Sequence, residues 1–473
     1  MLEYVTKFNN ITAAKGLWCL KPYQLEGTAW LLENKRCVLA DDPGLGKTCQ
    51  SVFAALAMLA AKRIDNVIVT ANKQMVNEWQ LFVNKLGLFA DRFIYVTNSA
   101  ASISKCEVES DYALIVDEAH NFCNYKSQRT GHLTRLAAKA KYIWLLTGTP
   151  IRNGCYGDLL GLLSVLQHPL ANDPITFLDT YCLPSPFRDG EYIGCRNTER
   201  LKQAVGHLFL RRLKADVLDL PERINNVVVI NDATATERFN REANQLLKDY
   251  AYNPAVCVIK ARQLNAMCKL EFAISYIKKE LVTKDKLVVA TNVVDFVDTL
   301  KARLAAEQIE CIAIHGKVSD KIRNGAADRF NTYAGKCVFL ATPRTCGEGL
   351  TLTSARDLIL IDYPWTATEL QQLSDRIHRI GQTKPCHYHW LELTAFDNEL
   401  FNLIADKSKA HCHIFDEPIV FDERMRLGGL YRAINKSLTR DVQLTLPLYQ
   451  HEEQARDYIA ALSDKQGLFD LLY

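Results

Sequence analysis

A chain of 473 residues exceeds what a single compact core accommodates, so two large domains are the starting expectation. With 48% hydrophobic and 23% charged residues it has the make-up of a folded globular protein, which excludes a disordered or collagen-like polymer. The formal net charge of +3 is too small to mark a nucleic-acid binder by itself, so any such surface must be a local patch.

The N-terminal stretch MLEYVTKFNN has no apolar h-region, and the longest apolar stretch, Ser51 to Ala61, stops at Lys62, well short of the roughly 20 residues of a membrane span. An intracellular protein without a membrane role is expected, in cytoplasm or nucleoid, or in the nucleus of a eukaryote. The 15 cysteines are scattered through apolar runs, as at Cys37, Cys311 and Cys337, and read as reduced core thiols. Cys386, His387, His389, His411, Cys412 and His413 form a cluster that could supply zinc ligands. It lacks CxxC spacing, however, and CHYHWLEL reads as an ordinary strand with alternating faces.

In chain order, the first expected element is the apolar run CVLA, ending at Asp41. Asp41-Asp42-Pro43-Gly44-Leu45-Gly46-Lys47-Thr48 follows, and then an apolar helix from Cys49 to Ala61. A strand, a glycine turn and GKT opening a helix make a phosphate cradle: glycines let backbone N–H groups approach, and the helix N-terminus favours the anion. Lys47 would reach the β and γ phosphates of ATP, and Thr48 would hold magnesium. Asp42, Gly44, Leu45, Gly46 and Cys49 would complete the nucleotide contacts. The strict GxxxxGK[ST] pattern fails at its first position, where Asp41 stands.

The run VIV ends at Thr70, and ALIV ends at Asp117-Glu118-Ala119-His120. An aspartate at a strand end beside a phosphate loop can position magnesium, and the next glutamate can orient and deprotonate an attacking water. IWLL then ends at Thr147. From Ile151 to about Ile230 the chain carries turn chemistry, LPSPFRDGEYIG, and a basic run, Arg211-Arg212-Leu213-Lys214, which together suggest a helical insertion followed by a linker.

Residues 234 to 282 are mostly helical in pattern and lead into a second set of apolar runs: LVVA before Thr291, CIAI before His315, VFLA before Thr342 and LILI before Asp362. Buried runs alternating with helical segments give an α/β fold with two open parallel sheets, and ligands of such sheets sit beyond the carboxyl ends of the strands. Gln372 to Gln382 reads as a helix on which Gln372, Arg376 and Arg379, at i, i+4 and i+7, share one face. Two arginines held this way suit the charge that develops on a transferring phosphate. ATP is therefore expected in a cleft with Lys47, Thr48, Asp117 and Glu118 on one lobe and Arg376 and Arg379 on the other.

Taken together these residues resemble the superfamily-two helicases, specifically the Swi/Snf-type double-stranded DNA translocases, over about Leu20 to Gln382. LKPYQ at 20 to 24 resembles their nucleotide-edge motif, with Gln24 as adenine reader, and VIVTANKQMVNEW at 67 to 79 looks like a motif that contacts the DNA backbone. DEAHNFCNYKSQRT at 117 to 130, LLTGTPIRN at 145 to 153 and LRRLKADVLDLP at 210 to 221 are close to family wording. So are ATPRTCGEGLTLTSA at 341 to 355 and DRIHRIGQTKP at 375 to 385, although Cys346 stands where glycine is usual and Thr351 where asparagine is frequent.

The resemblance implies two RecA-like lobes: residues 1–208 as the ATP-binding lobe with an insertion from about 151, 209–230 as linker, 231–415 as second lobe and 416–473 as a helical brace. It implies Gly349 and Gln372 as further nucleotide contacts, His120, Gly148 and Thr149 as coupling residues, and Thr70, Lys73, Thr147, Arg211, Arg212, Thr342 and Arg344 as DNA contacts. The implied activity is DNA-stimulated hydrolysis of magnesium ATP by a monomer that translocates on duplex or branched DNA, largely independent of sequence. Branch migration, fork regression or annealing would follow, with replication or recombination proteins as candidate partners. Protein displacement or chromatin remodelling, a nucleotide switch without motor work, and the motor of a nuclease complex are the alternatives.

Overall fold

The computed structural model describes residues 1–415 except 152–153, 185–189, 251–252, 324 and 347–349, so Gly349 and the expected brace at 416–473 lie outside the described residues. The described chain divides into two compact units, Met1–Asp219 together with residues 409–415, and Leu220–Ser408. Each is built on a six-stranded sheet whose paired strands are all parallel. No helix among the described residues is long and apolar enough to cross a membrane.

The first sheet runs in the order Phe93–Thr97, Asn66–Ala71, Tyr112–Asp117, Tyr142–Leu146, Arg36–Leu39 and Phe209–Leu210. Side chains on a strand alternate between faces, and here the alternation separates two cores. Ile68, Leu114, Val116, Ile143 and Leu145 enter one, and Val67, Val69, Ala113, Ile115, Trp144 and Leu146 enter the other. Burial on both faces is why these strands read as unbroken apolar runs. The helix Lys47–Ala60 belongs to the second core and is buried at every position from Cys49 to Leu59, and from Val52 onward its sequence is apolar all round. Helix Lys73–Leu86 stops at Gly87, whose φ of +67° supplies the left-handed cap.

The insertion is helical as expected, with helices Asp158–Val165, Pro174–Tyr181 and Thr198–Val205. Phe209–Leu210 then returns to the first sheet, where Val38 pairs with Phe209 and Leu39 with Leu210.

The second sheet runs Glu310–Ile314, Cys337–Ala341, Lys286–Ala290, Asp357–Leu360, Cys386–Glu392 and Arg223–Val229. Three helices, Ala233–Asp249, Pro254–Cys268 and Leu270–Glu280, stand between the edge strand Arg223–Val229 and the other five strands in the chain, the first capped by the Asp232 side chain accepting from Ala235 N. Lys269 is fully buried between them and the sheet, with its ammonium donating to Ile361 O, Leu391 O and Asp397 Oδ1 at 2.6–2.8 Å. A buried charge is tolerable only when its bonds are made in this way.

One expected element is corrected. The helix carrying Gln372 spans Ala367–Ser374 and ends with Asp375 as its cap, so Arg376 and Arg379 stand on turns and share no helix face. The backbone acceptors that would continue the helix are taken elsewhere: Arg376 O accepts from Leu352 N at 2.9 Å, and Ile377 O from the Gln382 side chain at 3.2 Å.

Candidate functional site

The phosphate loop follows the strand Arg36–Leu39. Gly44 and Gly46 have φ of +87° and +76°, which glycine adopts without strain. A Cβ at Gly46 would lie 2.5 Å from Gln24 Nε2 and 2.9 Å from Cys49 Sγ, so nothing larger fits. Gly46 caps the 14-residue helix Lys47–Ala60, whose first N–H groups have no partner within the helix and favour an anion. The Lys47 ammonium donates to Asp41 O at 2.7 Å and Asp42 O at 3.3 Å, acceptors that leave its full charge available. Thr48 is partly exposed in the first turn, while the Cys49 thiol turns inward to Gly46 O. Gln24, expected to read adenine, is buried against the loop, with Nε2 donating to Leu45 O and Oε1 accepting from Lys21 N.

Asp117 ends the strand beside this loop. Its Oδ2 accepts from the Trp79 indole at 2.8 Å and its Oδ1 from Glu118 N at 3.0 Å. Burial, and then the neighbouring Glu118, push its pKa up to about 6 against the pull of Trp79 and Lys47. A carboxylate whose ionised form is this costly gains from a divalent cation, so the Asp117 carboxylate and the Thr48 hydroxyl suit magnesium in their chemistry.

Glu118 has a left-handed backbone, φ +48°, an uncommon conformation for a side-chain-bearing residue and one found at working sites. Its Oε2 lies 3.2 Å from His120 Nδ1, and that nitrogen also lies 3.2 Å from Thr147 Oγ1. Thr147 Oγ1 in turn accepts from Thr149 N at 3.1 Å. A Cβ on Gly148 would come within 2.7 Å of Pro43 Cδ, so the Thr147-Gly148-Thr149 turn is seated on the phosphate loop itself. Lys47, Asp117, Glu118, His120, Gly148 and Thr149 thus gather at one edge of the first sheet.

The expected DNA contacts fare differently. Thr70 and Thr147 are fully buried and present no hydroxyl to a nucleic-acid backbone. Arg211 and Arg212 are also corrected: with side chains only 9% and 12% exposed, they are ion-paired to Asp42 and Asp41. Thr342 is buried and bonded to Thr345. Lys73 and Arg344 are both exposed.

In the second unit Arg376 donates from Nε to Gln372 O at 2.9 Å and from Nη1 to Leu350 O at 3.1 Å. Arg379 Nη1 reaches Leu350 O at 3.3 Å and Thr351 Oγ1 at 2.8 Å. The two guanidiniums therefore meet at Leu350 although no helix aligns them. Burial, and then the adjacent Arg376, lower the Arg379 pKa. Cys346, at the unusual position in this region, is fully buried, and its thiol is pushed up to about 12 by that burial.

Among the described residues the suspected zinc cluster does not form: Cys386 is buried against Ile377 O, and His389 bonds Asp357 and Tyr276. Glu280, Asp357 and His389 do bring ligand atoms within 4.8 Å of one another, but the Lys284 ammonium already bonds both carboxylates. Trp79 as partner of Asp117, and the two arginine pairs, are what sequence reading missed.

An SNF2-related domain model matches residues 93–275, and a helicase conserved C-terminal domain model matches 268–381. The chain is 25% identical over 468 residues to an uncharacterized ATP-dependent helicase of Mycoplasma pneumoniae, covering 88% of this chain and 44% of that protein. It is 26% identical over 427 residues to the SWI/SNF-related matrix-associated actin-dependent regulator of chromatin subfamily A-like protein 1 of Drosophila melanogaster, covering 82% and 55%. With the ISWI chromatin-remodeling complex ATPase ISW1 of Saccharomyces cerevisiae it shares 25% identity, covering 90% and 42%. The chain thus spans about half the length of the curated relatives it matches. Among solved structures, the Sulfolobus solfataricus SWI2/SNF2 ATPase core in complex with dsDNA matches with a TM-score of 0.40 and 23% identity, over 84% of this chain and 94% of that one.

Proposed function

Because this chain belongs to the SNF2-related, Swi/Snf-type branch of the superfamily-two helicases, we propose that it is a DNA-stimulated ATPase that moves along duplex or branched DNA and remodels it. The observation that carries this reading is the single edge at which the phosphate loop, Asp117 and the Glu118–His120–Thr147 chain meet. Lys47 and the loop N–H groups bind the phosphates, with Gln24, Asp42, Gly44, Leu45, Gly46 and Cys49 shaping the loop. Thr48 and Asp117 would hold magnesium, which when bound would neutralise phosphate charge.

Glu118 orients the attacking water and takes its proton, and its bond to His120 makes that role sensitive to the Thr147-Gly148-Thr149 turn. Arg376 and Arg379 of the second unit offset the charge developing on the transferred phosphate, and Gly349 and Gln372 serve nucleotide contact there. Lys73 and Arg344 are the accessible cations for a sequence-independent grip on phosphates. A grip of this kind needs no base reading, which suits branch migration, fork regression or annealing by a monomer alongside replication or recombination proteins. Relatives named as chromatin regulators support a second reading, displacement of proteins from DNA.

The deciding experiment is the ATPase rate on single-stranded, duplex, forked and four-way DNA. Strong stimulation by branched DNA supports fork remodelling, equal stimulation by plain duplex supports protein displacement, and stimulation by RNA alone would reject both.

A further inference from the structure

The residues that follow the last strand of the first sheet turn back onto the phosphate loop. Ala40 N donates to Leu210 O at 2.7 Å and Asp42 N to Arg212 O at 3.0 Å, so the backbone ladder runs on past the strand. Arg212 meets Asp41 with two parallel bonds, Nε to Oδ1 at 2.9 Å and Nη2 to Oδ2 at 2.6 Å, and also donates to Gln50 Oε1 at 2.8 Å. Arg211 Nη2 lies 2.7 Å from Asp42 Oδ1, while its Nη1 donates to Ala40 O at 2.7 Å and Gly148 O at 3.1 Å. The other Asp42 oxygen accepts from Lys214 N at 3.0 Å.

These contacts join three segments of the proposed nucleotide site. Asp41 and Asp42 hold the arginines with their carboxylates and the Lys47 ammonium with their carbonyls. If Lys47 turns to a phosphate, it must let go of the same two residues the arginines grip. Gly148, whose carbonyl Arg211 holds, lies between Thr147 and Thr149 in the chain that starts at Glu118. Beyond Lys214 the chain continues to Leu220, where the second unit begins.

We propose that Arg211, supported by Arg212, is a positioning residue that passes the state of the phosphate loop to the exit segment 213–219, and so makes turnover responsive to DNA. This rests on the ATPase reading above. A guanidinium can serve the carboxylate and two carbonyls at once from its rigid planar fork, and an ammonium cannot, so charge alone does not substitute.

The test uses the full chain with Arg211→Ala and Arg211→Lys, the lysine variant keeping a cation beside Asp42 so that folding is preserved. Thermal unfolding, the Kd of a fluorescent ADP analogue, and kcat and KM for duplex DNA are measured. The expected result for both variants is an ADP Kd within about threefold of wild type, an unchanged KM for DNA, and a kcat at saturating DNA lowered about tenfold or more. Parallel loss of ADP affinity and kcat would reduce Arg211 to local support of the loop, and a raised KM for DNA with kcat retained would make it a DNA contact; either overturns the proposal. Wild-type hydrolysis that ignores DNA would remove the ATPase-motor premise itself, whatever the variants do.

Discussion

The Trp79 indole donates to Asp117 Oδ2 at 2.8 Å from a side chain with no exposed surface. The helix that carries the accessible Lys73 on its first turn thereby fixes the orientation of the proposed magnesium aspartate. Trp79→Phe keeps an apolar ring and deletes the donor, which for a buried carboxylate costs on the order of 1–3 kcal/mol. The magnesium concentration for half-maximal ATPase should rise several-fold while unfolding stays cooperative. A magnesium titration that overlays wild type would remove the positioning role.

Lys47→Ala and Glu118→Gln should separate binding from chemistry. The first removes the cation held at the loop mouth and should weaken nucleotide binding; the second should leave binding intact and lower turnover by about 10²–10⁴. Fluorescent-nucleotide titration beside phosphate release distinguishes them. Normal turnover in Glu118→Gln would place the base elsewhere.

Much of this edge was legible in the sequence because the physics is local. Each of the eight apolar runs falls on a strand and ends near the polar residue that marked it; seven are covered on both faces and so are apolar throughout, while CIAI lies on the half-exposed edge strand Glu310–Ile314. The edge strand Arg223–Val229 escaped notice because it opens on Arg223, Asn225 and Asn226 and exposes alternate residues, Val227 and Val229 among them, so its short run of valines does not stand out as a buried strand. The turn after Ser374 was illegible because its backbone acceptors are claimed by Leu352 and Gln382, which no window around Arg376 reveals. Arg211 and Arg212 looked like a basic surface run for the same reason: Arg212 finds its acid 171 residues away.

Gly148→Ala tests whether the turn after Leu146 must touch the phosphate loop. The added carbon would meet Pro43 Cδ at 2.7 Å, and ring and loop backbone must shift together. Overpacking of this kind costs about 1–3 kcal/mol, so weaker nucleotide binding and a lower unfolding midpoint are expected. Wild-type ADP affinity in this variant would mean that the loop does not depend on that contact.

Asp357 gives the second unit a pH signature. Burial alone would raise its pKa, but bonds from His389 and Lys284 outweigh burial and hold it below its ordinary 3.8. A depressed carboxylate stabilises the fold above its unfolded pKa and loses that contribution as pH falls through its folded one. Asp357→Asn should therefore cost about 3 kcal/mol near neutral pH, with the gap from wild type closing below about pH 4. Urea unfolding at several pH values measures it, and a pH-independent gap would contradict the assignment.

If Lys73 and Arg344 grip phosphates, binding to random duplexes should weaken steeply with salt and vary little with sequence. Fluorescence anisotropy at rising salt provides the slope. A flat response would count against a backbone grip.

The parallel pairing of Arg36–Leu39 also sets an order of assembly. Cys37 lies beside Trp144, and Val38 beside Phe209, so the strand that launches the phosphate loop is made early and closed late. During synthesis from the N-terminus the apolar helix Lys47–Ala60 must wait, uncovered, for the neighbours of that strand to emerge. The residues 209–214 that finish the sheet also fasten Asp41 and Asp42, so a nascent chain cut short of them has the loop's sequence without its clasp. Aggregation during synthesis is the hazard this topology carries.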